Sequence, residues 1–224
     1  MSPRAAATAV IVLGAALGLG GEPGGPREGA SGAPAVRAAG ARFEPPAPGS
    51  YELPPFGRVR EHELLGPDGA PAALLGLGPG EAALVGFVYL HCPDACPAAM
   101  AVFQELDRKL AERPEVSGRV TLVTVSFDPA RDTPERMASL RRALAPRARW
   151  RFLTAASPAA IEPVLADFGQ DVVRVADADG PPEVVTHLLK VFLVDGAGRI
   201  RNIYSSGFLD ERILLNDLLT VLHE

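Results

Sequence analysis

The sequence predicts an α/β fold: a central mixed sheet flanked by helices, with a hairpin ahead of it. Three observations carry this expectation. Two almost unbroken apolar runs, Ala83–Leu90 and Val120–Phe127, have strand length and the pattern of strands covered on both faces. Stretches with helical spacing follow each of them. Near the carboxyl end, Leu188–Val194 and Arg199–Tyr204 flank the turn Asp195-Gly196-Ala197-Gly198, which reads as a β-hairpin.

Taken in order, Arg58–Leu64 and Ala72–Leu77 lie on either side of Gly66-Pro67-Asp68-Gly69, a turn sequence, and predict a short antiparallel hairpin. Ala83–Leu90 is the first buried strand and leads straight into the only two cysteines of the chain. From about Pro93 a helix is expected, with Met100, Phe103, Leu106 and Leu110 on one face and Pro114 beyond its end. Val120–Phe127 is the next strand. Thr133-Pro134-Glu135 then opens a helix with an N-cap hydroxyl and a proline at the first helical position. Trp150–Leu153 predicts a third central strand, and Ser157-Pro158 starts a helix that runs to about Phe168. A short segment near Val172–Val175 and a turn over Asp177–Pro182 precede the terminal hairpin. A last amphipathic helix spans about Asp210–Leu222. This order, β-α-β-α-β-α and then β-β-α, is the one a thioredoxin-like fold with an insertion produces.

Composition bounds the function. The 224 residues are 47% apolar and 22% charged, enough for a real core. A formal net charge of −5 excludes the basic balance on which nucleic-acid binding depends. Residues 1–21 carry the basic Arg4, an apolar stretch from Ala5 to Leu19 and then Gly20-Gly21, the pattern of an export signal. The stretch is short for a membrane span, which favours a signal peptide, with a membrane anchor as the alternative. No cysteine lies near it, so a lipid anchor on cysteine is excluded. Residues 22–49 are rich in Pro and Gly and form a linker, and residues 50–224 are the expected folded domain.

The chemistry centres on Cys92-Pro93-Asp94-Ala95-Cys96, at a strand-to-helix junction. The carboxyl ends of strands in open α/β sheets are where ligands sit. A disulfide between residues four apart closes almost no loop, so a structural staple is the weaker reading. A helix amino terminus favours thiolate over thiol, and two thiolates on one short arc make a soft site suited to Cu(I) or, with an imidazole, to Cu(II) or Zn(II). Of the four histidines, His91 adjoins Cys92 but should point to the opposite face, as consecutive strand residues do. His62 and His223 read as surface residues. His187 precedes an apolar strand and stands on a segment able to reach the cysteines; the residues alone fit a metal ligand and a hydrogen-bonded loop histidine equally. Asp128, Arg131 and Asp132 occupy the loop after the second strand, beside the cysteines. Asp128 and Asp132 organise a turn there, and Asp128 is also a candidate second-shell or docking residue.

These residues resemble the Sco/SenC family of copper-delivery proteins. The resemblance rests on Phe87-Val88-Tyr89-Leu90-His91-Cys92-Pro93-Asp94-Ala95-Cys96-Pro97, on Val125-Ser126-Phe127-Asp128-Pro129 with Arg131-Asp132-Thr133-Pro134, and on His187, and it covers about Tyr51–Glu224. It implies a thioredoxin-like domain that is periplasmic or at the outer face of the inner membrane. It also implies copper, as Cu(I) or Cu(II), held by Cys92, Cys96 and His187, and delivery to the binuclear copper centre of cytochrome c oxidase, with subunit II as the copper-accepting partner. The chain departs from the family pattern at Leu90, where threonine is usual, at Thr186-His187-Leu188, where Asp-His-Ser is common, and in the early hairpin, which lacks Asp-Gln before its glycine. None of these departures removes a ligand. The competing function is a thiol-disulfide oxidoreductase that reduces the cysteines of a copper-accepting partner, with Cys92 and Cys96 as its redox pair. Three residues between the cysteines and a distant histidine suit a metal better than that chemistry.

Overall fold

A computed structural model describes residues 44–91, 95–175 and 183–224. The predicted turn over Asp177–Pro182 and the export-type segment therefore lie outside the described residues. Each long apolar run becomes a strand: Ala82–Val88 (β4) and Val120–Ser126 (β5) are buried at every position. Side chains alternate across the pleat, so Ala83, Val85 and Phe87 enter one core while Ala82 and Leu84 enter the other. That is why the runs show no polar alternation.

The strands before β4 are Gly57–Arg58 (β1), Glu63–Leu65 (β2) and Pro71–Ala73 (β3); those after β5 are Trp150–Leu153 (β6), Val172–Val175 (β7), Glu183–His187 (β8), Lys190–Asp195 (β9) and Arg199–Ser205 (β10). The helices are Ala95–Ala111 (α1), Pro114–Ser117 (α2), Pro134–Leu144 (α3), Pro158–Phe168 (α4) and Glu211–His223 (α5). Six strands form the main sheet in the order β1-β10-β9-β4-β5-β6. β4, β5 and β6 are parallel, β9 runs antiparallel to β4, and β10 antiparallel to β9. The mixed sheet and the terminal hairpin agree with the sequence reading. The early hairpin is β2–β3, shorter than expected, because Gly57–Arg58 pairs instead with β10 at the far edge of the main sheet.

Helices α1, α3 and α5 cover one face, through Phe103, Leu106, Met137, Leu214 and Leu218. Helix α4 and the β2–β3 hairpin cover the other, where Phe87, Phe168 and Phe192 meet edge to face at centroid separations of 5.0–6.0 Å. Ser157 caps α4 by accepting from the amide of Ala160, and Gly169, at φ 57°, ends it in the left-handed conformation that glycine adopts without strain. Thr133 holds the N-cap position of α3, but its hydroxyl makes no capping bond; Pro134 opens the helix instead. Residues 46–51 lie along α5, with the side-chain amide of Asn216 donating to the Pro46 carbonyl and the amide of Gly49 donating to the Thr220 hydroxyl. Asp217, buried on α5, accepts from the hydroxyls of Tyr51 and Tyr204, which fixes the chain entry against β10. Among the described residues no helix is long and apolar enough to cross a membrane.

The aromatic cluster at the centre of the α4 face sets a stability test. Phe87→Ala removes the ring shared by Phe168 and Phe192 and should cost about 3–5 kcal/mol, seen as a lower urea midpoint at unchanged slope.

Candidate metal centre

Sheet polarity decides which segments meet. β9 enters the sheet antiparallel to β4, with Val191 opposite Gly86, so the chain just before Lys190 and the chain just after Val88 leave the sheet at the same end. The first holds His187; the second leads to Cys92. β5 is parallel to β4, with Ser126 opposite Val88, and brings Phe127–Asp132 to that end as well. The segments that lead to the candidate ligands therefore leave the sheet at one end.

Cys92 and the side chains of Cys96 and His187 lie outside the described residues. Helix α1 is described from Ala95, with Cys96 in its first described turn, and the expected start near Pro93 lies outside the described residues. His187 is the last residue of β8, opposite Val172 of β7, and does not stand on a loop. The pair β7–β8 forms its own two-stranded ribbon ahead of β9. Among the described residues no cluster of three or more His, Cys, Asp or Glu side chains has the arrangement of a metal site.

The frame around these positions is built from buried polar groups. Asp132 is fully buried; its Oδ2 accepts from the Leu90 amide at 3.0 Å and from the Ser126 hydroxyl at 2.6 Å. The carboxylate thereby holds the backbone two residues before Cys92 against the end of β5. Its other oxygen has no partner among the described residues, and burial pushes its carboxyl above the usual range. Asp128, also buried, ties down its own turn: its Oδ2 accepts from Arg131 at 3.0 Å, and its carbonyl accepts from the amides of Arg131 and Asp132. That is the turn-organising role expected of the Asp-Pro sequence.

Two anchors were not legible in the sequence. Gln170, buried just past the end of α4, donates from Nε2 to the Leu188 carbonyl at 3.0 Å and so pins the residue after His187. Arg174 on β7 donates to the Phe127 carbonyl at 2.9 Å and binds Glu162 of α4, which ties the ribbon to the end of β5. Each bond joins residues at least 12 positions apart and follows no short motif. The other histidines sit elsewhere. His91 is exposed in a turn, and His223 is exposed at the end of α5. His62 is mostly buried rather than a plain surface residue, its Nε2 lying 2.8 Å from Asp167. Arg60 shares that carboxylate and holds it well below the usual carboxylate range.

The fold defines the class first: a thioredoxin-like sheet with a cysteine on the helix that follows its central strand. The SCO1/SenC family model matches residues 77–223, and the chain belongs to that family. Among solved structures it is similar to Arabidopsis thaliana ScoI with copper bound (22% identity, 73% of this chain and 97% of that one, TM-score 0.60). It is also similar to apo Sco1 from Thermus thermophilus (28% identity, 76% and 94%, TM-score 0.58). A third similar structure is BsSco, described as a member of the Sco family of cytochrome c oxidase assembly proteins (23% identity, 77% and 98%, TM-score 0.60). Comparison with curated protein sequences finds no match.

The Asp132 anchor sets a second test. Asp132→Ala leaves the Leu90 amide and the Ser126 hydroxyl buried without their acceptor and should cost about 1–3 kcal/mol in urea unfolding. Asp132→Asn keeps an acceptor for both and should recover most of that loss.

Proposed function

We propose that the protein is a copper metallochaperone in which Cys92, Cys96 and His187 hold the ion for delivery to the copper centre of cytochrome c oxidase, with subunit II as acceptor. The observation that carries the reading is the convergence of two chain segments at one end of the sheet: β4 running into the cysteines, and β8 ending at His187 where the chain turns into β9. Family membership and the copper-bound relative support it. The donor set fits the cargo. Two thiolates and an imidazole are soft to borderline ligands that suit Cu(I) and accept Cu(II), and the amino-terminal turn of the 17-residue α1 favours the thiolate of Cys96. An ion held by few ligands at the open end of a sheet can pass to a partner by ligand exchange. The pair must be reduced to bind, so a Cys92–Cys96 disulfide would switch the site off.

In this reading Asp132 and Gln170 act on the frame. One fixes the approach to Cys92, the other the exit from His187. Asp128, held at this end by Arg131, supports the ligands from behind or meets the acceptor protein. The segment 1–21 directs the domain to the periplasm or keeps it at the outer face of the inner membrane, and 22–49 spaces it from that segment.

Titration of the reduced protein with Cu(I) and Cu(II) tests the assignment. His187→Ala should weaken Cu(II) binding by more than about 100-fold, beyond the loss typical of an outer-shell partner, and Cys96→Ala should abolish stoichiometric binding of both ions. Unchanged copper affinity in His187→Ala would remove the three-ligand site. Reduction of a partner disulfide that survives His187→Ala but not Cys96→Ala would establish the oxidoreductase instead.

A further inference from the structure

A buried acceptor close to His187 in the β7–β8 ribbon has no donor among the described residues. Gln170, 4% exposed, stands just past Gly169 at the end of α4, where its backbone amide donates to the Leu165 carbonyl. Its side chain reaches across to the chain that follows β8: Nε2 donates to the Leu188 carbonyl at 3.0 Å, and to the Asp171 carbonyl at 3.3 Å. Both partners are acceptors, so only the nitrogen side of the amide can meet them, and Oε1 is left to a different neighbour. That oxygen is buried and unbonded among the described residues. Buried side-chain oxygens rarely stay so, because their hydration is lost and nothing replaces it.

The register of the ribbon shows which residue stands beside it. His187 lies opposite Val172, and residues directly opposite in an antiparallel pair share a face. Exposure alternates along the first strand and its lead-in: Gln170 is buried, Asp171 exposed, Val172 partly buried against the α4-side core, and Val173 more than half exposed. Gln170 and Val172 therefore belong to the inward face. The other chain agrees, since Leu188 is more than half exposed and Leu189 buried, and His187 is two residues from Leu189. His187 and Gln170 are thus diagonal neighbours on one face, about 7–8 Å apart in the backbone and within reach of a long side chain and a ring. Thr186, opposite Val173, belongs to the other face. Lys190 donates to the Gly169 carbonyl at 2.7 Å and not to this oxygen.

We propose that Gln170 is a positioning residue for His187: its Oε1 accepts from the imidazole N–H that remains when the other ring nitrogen holds copper. A neutral imidazole carries one N–H and one free lone pair on its two nitrogens, so fixing the N–H fixes which nitrogen is open to the metal. The same bond sets the plane of the ring and makes the ligating nitrogen a stronger donor. The amide then acts twice, with Nε2 on the backbone after His187 and Oε1 on its ring. The copper half of this inference rests on the reading of His187 as a ligand; the hydrogen bond does not.

Two substitutions separate the two halves of the amide. Gln170→Met keeps the length of the side chain and removes both bonds, whereas Gln170→Glu removes the donor to Leu188 and keeps an acceptor for the ring. In reduced, copper-free wild type labelled at histidine nitrogen, NMR should show one His187 tautomer with a ring N–H that exchanges slowly with water. In Gln170→Met that proton should exchange freely and the ring nitrogens should shift toward a mixture of tautomers; in Gln170→Glu the slow N–H should persist. Cu(II) titration should give a loss of about 10- to 100-fold for Gln170→Met, the range typical of a partner behind a metal ligand, and a smaller loss for Gln170→Glu. Equal losses in the two variants would overturn the proposal and reduce Gln170 to its bond with Leu188. Mixed tautomers of His187 in wild type would overturn it as well, a result that depends on the folding of neither variant. Wild-type affinity in Gln170→Met beside a loss in His187→Ala would remove the positioning role and leave the ligand set in place. A slow N–H beside unchanged affinity in His187→Ala would remove the ligand set and leave the hydrogen bond in place.

Discussion

The antiparallel entry of β9 beside β4 is the constraint on which the rest of the molecule depends. Because β4 leaves the sheet where β9 enters it, the residues after one and before the other must be neighbours, whatever the length of chain between them. Parallel β5 adds a third segment at the same end. A wholly parallel sheet would have sent the chain before β9 to the opposite edge, and His187 with it. The two apolar cores hold this arrangement by burying both faces of β4 and β5.

Hydrogen bonds then convert proximity into position. Strand ends fray unless their polar groups find partners, and at this end the partners come from a distance: Asp132 for Leu90, Gln170 for Leu188 and Arg174 for Phe127. Burying Asp132 with one oxygen unpaired among the described residues is costly. The bonds to Leu90 and Ser126 offset part of that cost, and the return is a fixed approach to the cysteine turn. If the site delivers copper as proposed, it gains from a rigid frame beneath few ligands, because exchange then requires no rearrangement of the domain.

The two ends of the sheet are chemically opposed. One holds the segments that lead to the candidate thiol and imidazole ligands, with the buried carboxylates of Asp128 and Asp132 behind them; the other holds the exposed guanidinium groups of Arg113, Arg141, Arg142 and Arg147. Net charge hides this division, since an acidic total coexists with these four exposed arginines. The fold separates the two by roughly the length of its strands, so contacts at one end leave the other free.

Much of the fold was legible from pattern. The buried runs Ala83–Leu90 and Val120–Phe127, the helix opened by Ser157-Pro158 and the terminal hairpin all follow from period and punctuation, which are local properties; Trp150–Leu153 is the strand expected, but at the edge of the sheet and not its centre. The cysteine motif and the Asp128–Pro134 loop were equally visible, because their chemistry lies in consecutive residues. The place of His187 at the end of β8 was not, since short ribbons depend on packing more than on propensity. His62 looked like a surface residue until Asp167, 105 positions away, closed on it. By itself the sequence determined the strands, the helices and the candidate ligands. Only the tertiary structure decided which ends meet, that Asp132 and Gln170 hold them and that Arg113, Arg141, Arg142 and Arg147 stand at the far end, because those relations join residues remote in the chain and leave no local trace.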